Sequence, residues 1–187
     1  MRLKVNFKYK AIVAIVIIFM ILISMKYIKP MYEYQIQDSQ IAISKSISKM
    51  TGGQPIQIIL IEDVDNKRIV LFQRGSEIGE SMLTKGPNNK YRLDSSGYGT
   101  NEVRYRILNT NKGQYVKFVG KNSSSISRIL SFVDEESYFI DIPEGKHFIS
   151  YEPLIKKTSS SFPSGSIWYD DQGKEIIRVN ISKDFIL

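Results

Sequence analysis

The sequence predicts a mainly β (α+β) protein with an N-terminal transmembrane helix, a short amphipathic helix, and then an antiparallel β-sandwich or strongly curled sheet. Three observations carry that expectation. Residues 9–30, YKAIVAIVIIFMILISMKYIKP, hold one dense apolar run between lysines. Residues 32–50 place Ile36, Ile43, Ile47 and Met50 on one helical stripe. From Pro55 onward, short apolar segments alternate with Gly-, Asn-, Asp- and Ser-rich turns every 8 to 12 residues or so, a rhythm that leaves no room for crossover helices.

Length and charge narrow the field. A chain of 187 residues has room for one main domain once the N-terminus is set aside. The formal charge of +7 is not spread evenly. Arg2, Lys4, Lys8, Lys10, Lys26 and Lys29 precede any acid, and the remainder carries 20 cations against 19 acids. A nucleic-acid binder concentrates its charge on the domain that meets phosphates, so nucleic acid is not an expected partner. With no cysteine there is no disulfide, thiol nucleophile or Cys-ligated metal.

Residues 11–23 are all apolar, and Ser24 and Met25 extend the charge-free run to fifteen. Fifteen residues rise about 22 Å as a helix, short of a hydrocarbon core of roughly 30 Å. Lysine stems at both ends and Tyr9 and Tyr27 at interfacial positions extend the expected span to residues 9–28. No small-x-small ending marks a cleavage site. Four cations before the run and two after it orient the N-terminus toward the cytoplasm by the positive-inside rule. The expected domains are a cytoplasmic tail and transmembrane anchor over 1–30, an amphipathic helix or stalk over 31–53, and a β-rich extracytoplasmic domain over 54–187.

PIQIILIEDV and KRIVLFQRG read as a hairpin across Asp65 and Asn66. A further strand is expected near residues 78–83. Others follow in KYRL, NEVRYRIL, QYVKFVG, ISRILSFV, SYFIDI and HFISYEP, with a last hairpin turning around residues 171–173. DSSGYGTN reads as a turn between KYRL and NEVRYRIL. In residues 103–107, Val103, Tyr105 and Ile107 oppose Arg104 and Arg106; in residues 115–119, Val116 and Phe118 oppose Tyr115, Lys117 and Val119. The second segment is apolar on both faces, so it belongs at the centre of the fold or beneath the helix.

No catalytic residue is assigned, and no cofactor or metal is expected. His147 stands alone, and one His without Cys makes no zinc pattern. Gly75-Ser76-Glu77-Ile78-Gly79 has its serine one place too early for a nucleophile elbow. GGQ at residues 52–54 reads as helix termination, and the acidic clusters at Glu62, Asp63 and Asp65 and at Asp134, Glu135 and Glu136 read as solvated turns. Trp168 reads as packing in the core or on a sheet face. Arg104, Arg106, Lys117 and Tyr98 form the candidate binding set, which Lys90 and Arg92 join if their strands are neighbours.

IVLFQRG, YVKFVGKN and FIDIPEGKHFISYEPL, set behind a Lys-flanked apolar run, resemble segments of uncharacterised Gram-positive single-pass membrane proteins with a β-rich extracytoplasmic domain. The resemblance implies a cell-membrane location and no transferable chemistry. The functional expectation is a noncatalytic membrane-anchored extracytoplasmic module for protein or cell-envelope recognition. Its partners would be the lipid bilayer through residues 11–28 and an envelope protein or anionic wall polymer. The alternatives are a carboxylate-dependent hydrolase acting on envelope polymers and a small intramembrane-packing accessory subunit.

Overall fold

The computed structural model describes residues 7–180. The helical part comprises α1 (Phe7–Ile23), a π-helical turn (Ser24–Ile28), α2 (Lys29–Glu33) and α3 (Gln40–Met50). Eleven strands follow: β1 (Gln57–Val64), β2 (Lys67–Arg74), β3 (Glu77–Lys85), β4 (Tyr91–Gly99), β5 (Val103–Asn109), β6 (Gln114–Lys121), β7 (Arg128–Val133), β8 (Glu136–Asp141), β9 (His147–Pro153), β10 (Gly165–Tyr169) and β11 (Glu175–Asn180). All pair antiparallel, in a first sheet β1-β2-β3-β4, a middle sheet β5-β6-β9 and a third sheet β11-β10-β7-β8.

The alternation of side chains along β6 explains the stacking. Val116 and Phe118 point into a cluster with Ile129, Val133, Tyr138, Ile140 and Trp168 of the third sheet. Tyr115 and Val119 point the other way, into a cluster with Val64, Ile69, Leu71 and Met82 of the first sheet. The middle sheet is thus covered on both faces, as its two-sided apolar pattern requires. Gly120 of β6 permits a close approach: a Cβ there would lie 2.0 Å from the Glu102 carbonyl oxygen, which accepts the Lys121 N–H at 2.8 Å.

α3 covers the outer face of the first sheet. Ser39 caps it by accepting the Ala42 N–H at 3.3 Å, and Gly52 and Gly53, both at positive φ, end it. Ile43 and Ile47 are buried against Val70, Phe72, Leu83 and Tyr91, so the helical stripe is docked and does not form a free stalk. Arg68 ties the lead-in to the sheet: it donates to both Asp63 oxygens at 2.6 and 2.7 Å, pairs with Asp38, and lies 4.3 Å from the Tyr91 ring centroid.

The β1–β2 turn is stapled to the β5–β6 turn. Asp65, at φ 55°, accepts from Thr110 Oγ1 at 2.7 Å and Tyr115 Oη at 2.9 Å and pairs with Lys112 at 3.1 Å. These partners, Thr110 foremost, hold its carboxyl below the usual range.

Two expectations are corrected. The segment DSSGYG does not turn: β4 runs through it to Gly99, because Ser81 on β3 bonds Ser96 across the ladder at 2.7 Å and small residues let the adjoining sheet approach. The transmembrane helix is also overturned. α1 has 17 residues, about 25 Å of rise, and beyond Ile23 the α-helical bonding gives way to the π turn. Among the described residues no helix is long and apolar enough to cross a membrane. This finding removes the support for the single-pass resemblance, the bilayer as a partner through residues 11–28, the cell-membrane location with its orientation, and the membrane-anchored and intramembrane functions. Arg2 and Lys4, on which part of the orientation rested, lie outside the described residues. From Tyr9 to Ile23 the large apolar side chains of α1 are 42–66% exposed.

If α3 stabilises the domain by filling the groove over β2 and β3, Ile47→Ala will lower the unfolding free energy by about 2–5 kcal/mol. Urea denaturation followed by tryptophan fluorescence measures this, and a loss below about 0.5 kcal/mol would mean that the helix is not docked.

Candidate functional site

The strand registers bring part of the expected basic set together. Arg106 of β5 lies directly opposite Lys117 of β6, and Arg104 lies opposite Val119. All four project toward the first sheet, as Leu108 and Val119 do in the cluster between the sheets. Tyr98 does not join them. It is on the outer face of the first sheet, 38% exposed, with the Arg74 guanidinium 4.0 Å from its ring centroid. Tyr91 is buried beneath α3, Tyr105 packs toward the third sheet against Phe118, and Lys90 is exposed in the β3–β4 turn.

Each cation on the inner face has a different environment. Arg104 reaches across to β3 and β4: its Nη2 donates to the Ile78 carbonyl of β3 at 3.2 Å, and a Cβ on Gly99 of β4 would stand 3.4 Å from it. Its Nε is buried without a partner among the described residues, and burial lowers its pKa, opposed by the Glu77 charge. Lys117 is 0% exposed, and its ammonium meets the Glu80 carboxylate of β3 as its one charged partner among the described residues. Burial pulls its pKa from 10.5 down to about 7. Arg106 is half-buried and has no ion pair among the described residues; the Phe162 ring centroid lies 5.9 Å from its guanidinium carbon.

Arg106 opens onto a cleft of about 620 Å³ between β4, the edge of the first sheet, and β5, the edge of the middle sheet. Lys67, Arg92 and Asp94 line one side, and Arg106, Asn109 and Ser161 line the other. A β-bulge builds the first wall: Met82 pairs with Ser95 but Leu83 with Leu93, leaving Asp94 as the extra residue. Asp94 accepts from Lys67 Nζ at 2.9 Å, from Thr84 Oγ1, and from Arg92 Nε at 3.0 Å. Burial raises its pKa, but these three donors more than offset that, and the carboxyl titrates below the ordinary value. Arg92 also lies 3.9 Å from Glu33. The second wall is held by residues 154–164, where the Ser161 carbonyl accepts the Ile107 N–H at 2.9 Å and Gln114 exchanges two bonds with Thr158. Asn109 receives a bond from Gln114 on its Oδ1, while its Nδ2 and the Ser161 hydroxyl have no partner among the described residues.

A smaller cleft of about 300 Å³ at the other end of the seam between the sheets is lined by Glu77, Glu102, Lys121, Lys146 and His147. Glu102 is engaged by Lys121 at 3.1 Å and Ser123 at 3.0 Å. Burial, then the charges of Lys146 and Lys121, lower the His147 pKa. Among the described residues no group of three or more His, Asp or Glu could hold a metal ion. Trp168 is buried, with its indole N–H donating to Ser166 Oγ at 2.7 Å. No family model matches the chain, and neither a characterised protein nor a solved structure shows significant similarity to it.

Sequence reasoning identified the basic residues but missed Glu80 and Asp94, the two carboxylates that distinguish a committed cation from an open one. The signal for Glu80 was its alternation with Ile78 and Met82, which places it on the covered face of β3.

The buried pair makes a pH test available. Between about pH 7 and 10.5 the unfolded chain keeps a proton on Lys117 that the folded chain releases, so this residue makes stability rise with pH across that window. Urea unfolding at pH 6.5, 8 and 9.5 will show wild type gaining stability relative to the Glu80→Gln/Lys117→Met double variant. A difference that stays flat or falls with pH would contradict a depressed Lys117.

Proposed function

We propose that the domain binds an oxyanion, a phosphate or sulfate group of a small molecule, in the cleft between β4 and β5, with Arg106 as its principal cation. The observation that carries this reading is that Arg106 is half-buried on a cleft wall and faces no carboxylate partner among the described residues. The cleft sets three cations against one carboxylate, and Asp94 is already occupied by three donors, so little acceptor capacity remains for a cationic ligand. Asn109 and Ser161 line the same cleft and are neutral, and a planar guanidinium presents paired N–H groups to an oxyanion. Of the four residues picked out from sequence, only Arg106 is assigned direct contact. Arg104 and Lys117 are committed within the seam, and Tyr98 lies on the opposite face of its sheet.

Calorimetric titration of the full chain with sodium sulfate at pH 6, at constant ionic strength, tests the reading. Saturable binding that weakens about tenfold or more in Arg106→Gln is the expected result, in keeping with the loss of a charged hydrogen bond of about 1.5–3 kcal/mol. Sulfate that binds no better than chloride, or equally well to Arg106→Gln with an unchanged circular dichroism spectrum, overturns it.

A further inference from the structure

The cleft's guanidinium, which has no ion pair among the described residues, and the buried ammonium are direct cross-strand neighbours on one face of the middle sheet, and among the described residues Glu80 is the carboxylate that meets that ammonium. We propose that Glu80 is shared: protonated Lys117 holds it and leaves Arg106 to the cleft, whereas deprotonated Lys117 releases it to capture Arg106, so oxyanion binding weakens as the pH rises. This regulation rests on the reading of the cleft given above.

Among the described residues, the other groups that share this face are apolar, engaged elsewhere or at its far edge. From β3, Ile78 and Met82 flank Glu80 on the same face. From β1 and β2, Val64, Ile69 and Leu71 contribute apolar surface; Glu62, opposite Ile69 and so on the same face, is exposed on the β1 edge, where its charge acts on Tyr151; and Lys67 is held by Asp94 at the far end. On β4, Gly97 and Gly99 face Arg104, on which the Glu77 charge acts. On β6 itself, Tyr115 is bound to Asp65. On β9, Tyr151 stands opposite Lys117, and burial together with the charges of Glu62 and Asp65 raises its hydroxyl pKa, so it stays neutral.

The exchange balances in charge. With Lys117 protonated, the pair with Glu80 is neutral and Arg106 keeps its positive charge for a ligand. Removal of that proton leaves an ionised, largely buried carboxylate beside a neutral amine, a costly state that an adjacent guanidinium relieves. Arginine supplies the charge because it stays protonated at every relevant pH. Burial of the Lys117 ammonium lowers its pKa, which moves the exchange from the alkaline range toward neutrality.

Sulfate does not change protonation between pH 6 and pH 8.5, so its affinity for the full chain, measured by calorimetry at both values, reports the protein alone. Wild type should bind about tenfold more tightly at pH 6, within the usual range of couplings between linked sites. Glu80→Gln, nearly isosteric, should bind tightly at both values because Arg106 is never captured. Lys117→Met should bind weakly at both, and His147→Gln should keep the wild-type dependence. An affinity independent of pH in wild type that still requires Arg106 would overturn the exchange and leave the cleft reading intact. The same pH dependence in Glu80→Gln as in wild type would also overturn it. Binding that ignores Arg106→Gln would instead remove the cleft reading on which the exchange stands.

Discussion

β6 can be buried only from both sides, and the rest of the molecule is arranged around that requirement. Val116 and Phe118 demand cover on one face, Tyr115 and Val119 on the other, and a single sheet packed on one partner would leave one of these sets in water. The chain supplies two further sheets, and α3 closes the outermost face of the first. A charged residue in this strand is the exception. Replacing such a buried pair with apolar side chains is often neutral or stabilising in other proteins, so a pair that persists at the centre of a sandwich is poorly explained by stability alone.

The cleft follows from how the layers end. β4 and β5 are consecutive in sequence but belong to different sheets, and each is an edge strand of its own sheet. Two edges that face each other without hydrogen-bonding leave a gap, and polar side chains occupy it where the apolar filling stops. The bulge at Asp94 turns one more carboxylate toward that gap, which holds Lys67 and Arg92 in place. Residues 154–164 then shelter the β5 edge, since Ser161 takes one of its free N–H groups, a common way to cover an exposed edge.

Much of the strand layout was legible because side-chain alternation and turn chemistry are local. The hairpin across Asp65 and Asn66, the two-sided burial of β6 and the end of α3 at Gly52 and Gly53 all follow from short windows. The site was legible only in part. Alternation places Arg104, Arg106 and Lys117 by face, but which sheet lies over that face depends on pairings between distant segments, and a lysine headed for a dry interior has the same period as one headed for water. Tyr98 is close in sequence to Arg104 yet belongs to another sheet and points away from it. The opening run failed for a different reason. Hydropathy measures how apolar residues 11–23 are, whereas a span also requires unbroken helical length, and α-helical bonding changes at Ser24.

The return of β9 has a kinetic meaning. The first sheet is a meander in which every strand pairs with the next, so it can assemble from neighbouring segments. The middle sheet cannot, because Val119 finds Ile149 only after the chain has travelled out through β7 and β8. Loop closure over that excursion delays the reward of the contact, and proteins rich in such distant pairings fold slowly. A chain complete only through β6 has every strand of the first sheet but lacks the cover for one apolar side of β6, which the last third of the polypeptide supplies as a clasp.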